Sequence, residues 1–173
     1  MKKFDFQNQA VIMCGISGSG KTHYARQLEK DGFVRLSADA LIWEKAGAGL
    51  SDMSKDEQKS LFAECGAEIL ERLVDLLKSG QKVVVDATNC KRTTRDKIRS
   101  LCAQADVKPV FLYCHAEKDE LWRRLSQRVG SGPDDLVVSR EQLSEYWNGF
   151  EPPQNDEPDF IFLSSGSNNP HAV

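Results

Sequence analysis

Short apolar runs and stretches of helical periodicity alternate along this chain. Residues 10–14, 33–37, 83–85, 109–114 and 160–163 are apolar runs rich in β-branched and aromatic side chains, bounded by polar or turn residues. They predict five strands, and the Val83-Val84-Val85 run reads as a parallel strand apolar on both faces. Between the first two, Ala25 and Leu28 sit among Arg26, Gln27, Glu29 and Lys30. This predicts a helix from near Lys21 to about Asp31, ended by Gly32 at its C′ position. A short helix is expected from near Ala40 until Gly47-Ala48-Gly49 breaks it. Leu61, Phe62, Cys65, Ile69, Leu70, Leu73, Val74 and Leu77 recur at helical spacing. They predict a long helix capped by Ser54-Lys55-Asp56-Glu57 and stopped at Ser79-Gly80. Further helices are predicted over 92–104, 118–129 and 139–148, with Phe150-Glu151-Pro152-Pro153 as an extended turn. The alternation implies a parallel sheet covered on both faces. No internal repeat or linker divides the chain, so a single domain is expected, its core about 10–164 and its tail 165–173 frayed.

The junction of the first strand and first helix carries Gly15-Ile16-Ser17-Gly18-Ser19-Gly20-Lys21-Thr22, which fits G-x-x-x-x-G-K-[ST]. This is the phosphate-binding P-loop, and a strand before it with a helix after it is the context that confirms the motif. Its glycines let successive N–H groups turn inward around phosphate oxygens, and the helix adds its positive dipole end. Gly15, Ser17, Gly18, Ser19, Gly20, Lys21, Thr22 and the adjoining His23 form the candidate nucleotide-binding segment, although His23, on a helix, reads as structural. Lys21 is expected to reach the β- and γ-phosphates of ATP and the Thr22 hydroxyl to ligate Mg²⁺. Motif and pattern together predict a three-layer α/β P-loop NTPase of the nucleotide-kinase type with a mostly parallel five-stranded sheet.

Phosphoryl transfer also needs a metal carboxylate, charge neutralisation and a held acceptor. Asp86 ends an apolar strand, where it would hold Mg²⁺ or cap the turn that follows. Asp39 ends the strand after the P-loop helix, where it would take a proton from an acceptor hydroxyl or cap the next helix. Arg124 and Arg128, four apart, are expected to share a helix face. With Arg123 they would form a basic lid helix and loop, about 117–138, or a solvated face paired with Glu117, Asp119 and Glu120. Arg92, Arg95, Lys97 and Arg99 would hold an anionic acceptor or form a basic exposed helix. Trp43, Trp122 and Trp147 read as packing residues, and His115 and His171 show no metal-binding spacing.

The P-loop GISGSGKT, Leu36-Ser37-Ala38-Asp39, Val85-Asp86-Ala87-Thr88-Asn89, the arginine-bearing lid and Phe150-Glu151-Pro152-Pro153 occur in that order. Together they resemble the kinase domain of polynucleotide 5′-hydroxyl kinases and their relatives, a set of P-loop kinases that includes zeta toxins. The resemblance spans about residues 11–163. It implies Lys21 and Thr22 as phosphate and Mg²⁺ residues and Asp39 as general base. It further implies Arg128, assisted by Arg124, as the lid arginine on the transferring phosphoryl group. The implied reaction is ATP-dependent phosphorylation of a hydroxyl, either a polynucleotide 5′ end or a small metabolite such as a nucleoside, sugar or antibiotic. The sequence departs from the group three positions beyond Asp39. Ile42 stands there in place of a basic acceptor-holding residue, Trp43 follows, and Ala40 takes the place of a second acid.

Charge changes this picture in one respect. The 173-residue chain carries a net charge of −3, which disfavours a nucleic-acid end as acceptor. The five cysteines form no C-x-x-C, and reduced core thiols are expected. Met1-Lys2-Lys3-Phe4-Asp5 lacks the apolar core of a signal peptide and no run is long enough to span a membrane, so a cytoplasmic location is expected. A nucleotide-dependent switch without a phosphoacceptor, and a binder retaining only the nucleotide pocket, are the competing function classes.

Overall fold

Five parallel strands build the sheet: β1 (Ala10–Cys14), β2 (Val34–Ser37), β3 (Val83–Asp86), β4 (Val110–His115) and β5 (Phe160–Ser164). The computed structural model describes residues 10–164; the expected frayed tail, His171 and the reading of Met1–Asp5 lie outside them. The strand order is β2-β3-β1-β4-β5, and every pairing is parallel. Every residue of β1 is fully buried because it lies between two neighbours and under helices on both faces. That explains its unbroken apolar run, since a strand covered on both faces has no polar side.

Period-two alternation divides the core. Ala10 and Ile12 join Leu36, Val83, Val85 and Phe111 on one face. Over that face pack α2 (Ala38–Ala46), α3 (Lys55–Lys78) and α4 (Arg92–Ala103), through residues such as Leu41, Ile69, Leu73 and Ile98. Val11 and Met13 face the other way with Val84, Val110 and Leu112, against Ala25 and Leu28 of α1 (Lys21–Lys30). A third cluster joins Ile16 to Leu121 and Leu125 of α5 (Lys118–Leu125) and Leu143 of α6 (Arg140–Gly149). This cluster seats α5 and α6 on the P-loop residue Ile16.

The cap expected on α3 is present, and α6 carries a second one. Ser54 and Glu57 form a capping box on α3, and Ser139 and Gln142 form one on α6. One predicted helix is shorter than its pattern. The 118–129 segment leaves the helix at Leu125, because the Asp135 carboxylate accepts from the N–H groups of Val129 and Ser131 and so fixes a loop there. Arg124 and Arg128 therefore do not share a helix face.

The outer end of the sheet is held by a buried ion pair. Arg95 and Glu157 are both fully enclosed, joined by bonds of 2.8 and 2.9 Å, and Arg99 adds contacts to Glu157 and Asp159. Burial raises the Glu157 pKa, but Arg95, the Gln154 N–H and Arg99 outweigh it and hold the carboxyl at about 2. All five cysteines are free, and burial pushes Cys14 and Cys114 up to about 12. Among the described residues no helix is long and apolar enough to cross a membrane.

Candidate active site

The C-terminal ends of β1, β2 and β3 converge on one cleft, as expected for an open parallel sheet. From β1 the chain turns at Gly15 (φ 144°), where an added Cβ would lie 2.3 Å from the Cys114 carbonyl oxygen on β4. Gly18 (φ 84°) faces the lid, and a Cβ there would lie 3.1 Å from Leu125 Cγ. Close approach of β4 on one side and α5 on the other thus confines both positions to glycine. Asn89, buried and itself at φ 45°, stitches the loop to β3: its amide donates to the Met13 carbonyl at 2.7 Å, and Gly15 N–H donates to the Thr88 carbonyl at 3.0 Å.

The loop has the properties of an anion cradle. Helix α1 begins at Lys21 with Gly20 as N-cap, no capping side chain and no acid in its first turn. The His23 N–H donates to the Gly20 carbonyl at 3.1 Å; the N–H groups before it have no capping side chain and are open to a ligand, and the dipole favours negative charge. Lys21 is buried and donates to the Ile16 carbonyl at 3.0 Å. Ser19 Oγ is buried without a hydrogen-bond partner among the described residues. A buried orphan hydroxyl beside a buried ammonium fits a phosphate-binding loop. Ser17 lines the cleft. His23 stands apart: it is exposed, and its Nε2 accepts from the Gln27 amide at 2.8 Å, so its ring does not join the cradle.

Asp39 lies in the first turn of α2 at the foot of the cleft. The alternative that it caps this helix is overturned, because Ser37 is the N-cap and accepts from Ala40 N–H at 3.2 Å. Burial raises the Asp39 pKa; Lys21 draws it down, Asp86 raises it, Arg128 draws it down and Asp134 raises it. Asp39 is therefore a half-buried carboxyl on the cleft wall, within electrostatic reach of Lys21 and Arg128.

Asp86 is buried at the end of β3, and its Oδ2 accepts from Arg35 Nε at 3.0 Å and Nη2 at 2.6 Å. Arg35 also reaches Ser37 Oγ and Asp134, and Asp134 pairs with Arg26 of α1. Sequence reasoning passed over Arg35 and Asp134. The available signal was an arginine inside the second apolar run, since a charge on a buried strand requires a partner. Among the described residues no three His, Cys, Asp or Glu side chains cluster to hold a metal. The Thr22 hydroxyl and Asp86 carboxylate suit Mg²⁺, which uses one or two protein oxygens with waters and substrate phosphates.

Arg124 and Arg128 have separate partners. Arg124 donates to the Gly18 carbonyl at 3.0 Å and to Glu120 at 2.7 Å, tying α5 to the P-loop. Arg123 also pairs with Glu120, which the two guanidinium groups hold at about 2. Arg128 donates to the Leu136 carbonyl across the lid loop at 3.1 Å.

The basic helix divides. Arg92, Arg95 and Arg99 are consumed by Asp96, Asp156, Glu157 and Asp159, and Arg95 also donates to the Asn89 and Cys90 carbonyls, whereas Lys97 lines the cleft. An anion clamp built from all four residues is thereby excluded. Trp122 and Trp147 pack in the third cluster, but Trp43 lines the cleft, contrary to its reading as a packing residue. The cavity measures about 1250 Å³ and extends from Ser17 and Asp39 between α3, α4 and the lid.

The family model described as AAA domain matches residues 11–153. No curated protein matches the chain significantly. Among solved structures, a gluconokinase from Sinorhizobium meliloti 1021 aligns with a TM-score of 0.65 at 23% identity, over 92% of this chain and 83% of that one. Chaetomium thermophilum Kti12 in complex with ADP-AlF3 aligns with a TM-score of 0.66 at 17% identity, over 90% and 89%. A chain of the Pnkp1/Rnl/Hen1 RNA repair complex aligns with a TM-score of 0.62 at 22% identity, over 81% of this chain and 43% of that one. These likenesses are to the fold, which is that of the P-loop kinases. With most of its length matched by the family model and its strand–P-loop–helix junction intact, the chain belongs to the AAA domain family.

Proposed function

We propose that the protein is an ATP-dependent kinase that transfers the γ-phosphoryl group to a hydroxyl held beside Asp39. The observation that carries this reading is the placement of Asp39 in the electrostatic reach of both Lys21 and Arg128, at the foot of a cleft open to an acceptor. A switch that only hydrolyses nucleotide has no need of a desolvated carboxyl there. The kinase named for the gluconokinase supports the same reading, and the ADP-AlF3 bound by Kti12 supports nucleotide binding at the loop.

In this reading the loop N–H groups, Ser19 and Lys21 grip the β- and γ-phosphates of ATP. Thr22 and Asp86 hold Mg²⁺, which when bound supplies neutralising charge on the phosphate oxygens. Asp39 accepts the acceptor's proton as its oxygen bonds to the γ-phosphorus. The bond from that phosphorus to the β–γ bridging oxygen breaks, and ADP departs. Arg128, released from the Leu136 carbonyl, neutralises charge on the transferring group, while Arg124 keeps the lid on the loop.

The test is incubation with γ-labelled ATP, Mg²⁺ and panels of metabolites and 5′-hydroxyl oligonucleotides. Label on an organic hydroxyl supports the reading. Labelled phosphate as the sole product, with ATP bound and every acceptor unlabelled, refutes it in favour of a nucleotide switch.

A further inference from the structure

The acceptor side of the cleft differs in chemistry from its nucleotide side. Beyond Asp39 the walls are formed by Ile42, Trp43, Phe62, Leu70, Val137 and Tyr146. Val137, 58% exposed, also lines this side of the cleft. The charges lining the same space are largely spent. Lys55 pairs with Glu145 at 3.1 Å and lies 3.7 Å from Glu141, and Lys91 pairs with Glu151 at 3.0 Å. Lys97, one turn along α4 from Thr94, makes no salt bridge among the described residues. An acceptor bearing several phosphates needs several free cations, and a polyol needs converging polar groups for each hydroxyl. Much of the polar lining is engaged as well: Gln58 donates to the Leu50 and Met53 carbonyls, and Ser139 and Gln142 close the α6 capping box, which leaves Thr93 and Thr94 beside Lys97.

We propose that the acceptor is an alcohol with an apolar, ring-sized body and at most one further polar or anionic group. The body lies against Trp43, Phe62 and Val137, the single polar group meets Lys97 and Thr94, and the reacting hydroxyl points to Asp39. This deepens the kinase reading and rests on it.

The test measures label transfer from γ-labelled ATP to 2-phenylethanol and larger aryl alcohols, against glucose, adenosine and a 5′-hydroxyl oligonucleotide. Binding of the aryl alcohols is followed by tryptophan fluorescence, with Trp43→Phe as the control for signal origin. Aryl alcohols should show the highest kcat/KM. Trp43→Ala should raise their KM about tenfold, as expected for losing an apolar contact of ring size, with KM for ATP unchanged. Val137→Asp, on an exposed side chain that the fold does not require, should act in the same direction. Preferred transfer to glucose, adenosine or the oligonucleotide overturns this inference and leaves the kinase reading standing. Transfer to no acceptor, with ATP bound and phosphate released, removes the kinase reading itself and this inference with it.

Discussion

Replacement of Asp39 by asparagine separates chemistry from binding. The amide keeps the size and shape of the carboxyl but cannot accept the hydroxyl proton. General-base catalysis by a positioned side chain contributes about 10²–10⁴-fold, so kcat should fall at least about 10²-fold, or about 2.7 kcal/mol in the barrier. Nucleotide affinity should move little, because the lost charge relaxes in two directions. Lys21 and Arg128 lose an attractive neighbour, while Asp86 and Asp134 lose a repulsive one. The Kd for a non-hydrolysable ATP analogue should thus stay within about threefold of wild type, a shift of roughly 0.7 kcal/mol. The assay is label transfer to a verified acceptor alongside calorimetric titration of the analogue.

The same substitution carries a pH signature. Burial lifts the Asp39 pKa above its ordinary value, so the wild-type rate should fall at acid pH from a point above the usual carboxylate range, and Asp39→Asn should lack that limb. A carboxyl with a raised folded pKa contributes stability below its unfolded pKa and loses that contribution as pH rises through the folded one. Asp39→Asn should therefore melt at a higher temperature than wild type near neutrality, with the gap closing in acid. Retention of wild-type kcat, or a lower melting temperature at neutral pH, would refute the assignment of Asp39 as a desolvated base.

Three further substitutions address the cradle and the frame. Lys21→Ala removes the buried ammonium from the loop and should weaken ATP binding by about 10- to 100-fold in calorimetric titration, the worth of a charge-assisted hydrogen bond; full affinity would discredit the P-loop assignment. Gly18→Ala combines a positive φ with a Cβ 3.1 Å from Leu125, so urea unfolding should show a loss of about 1–3 kcal/mol, and a neutral result would contradict the loop geometry. Glu157→Gln leaves Arg95 buried without its counter-ion and should cost about 3 kcal/mol. The lowered Glu157 pKa gives stability that is complete above about pH 4.5 and lost as pH falls toward 2, so melting curves of this variant should be flatter with pH over that interval than those of wild type.

The chain's own residues dictated much of this protein. The run AVIMC reads as a strand and G-x-x-x-x-G-K-T after it as a phosphate loop, because both are properties of contiguous residues. The order of elements, the parallel sheet, the capping box at Ser54 and the strand-end position of Asp86 follow from the same local rules, whereas Asp39, read as a strand end, is the second residue of α2. What needed the tertiary structure was every assignment that turns on a partner distant in the chain. Arg95 and Arg99 look like an anion clamp until Glu157 and Asp159, about sixty residues away, neutralise them. Arg35 gains its role only when Asp86 and Asp134 meet it, and the lid helix stops at Leu125 because Asp135 captures the N–H groups beyond it. Helical periodicity likewise cannot tell a tryptophan facing the core from one facing a cleft, since both lie on an apolar side of α2; the packing of α3 and the lid decides it for Trp43. Covalent spacing determines backbone geometry, but the pairing of charges and the lining of a cavity depend on which distant segments the fold brings into contact.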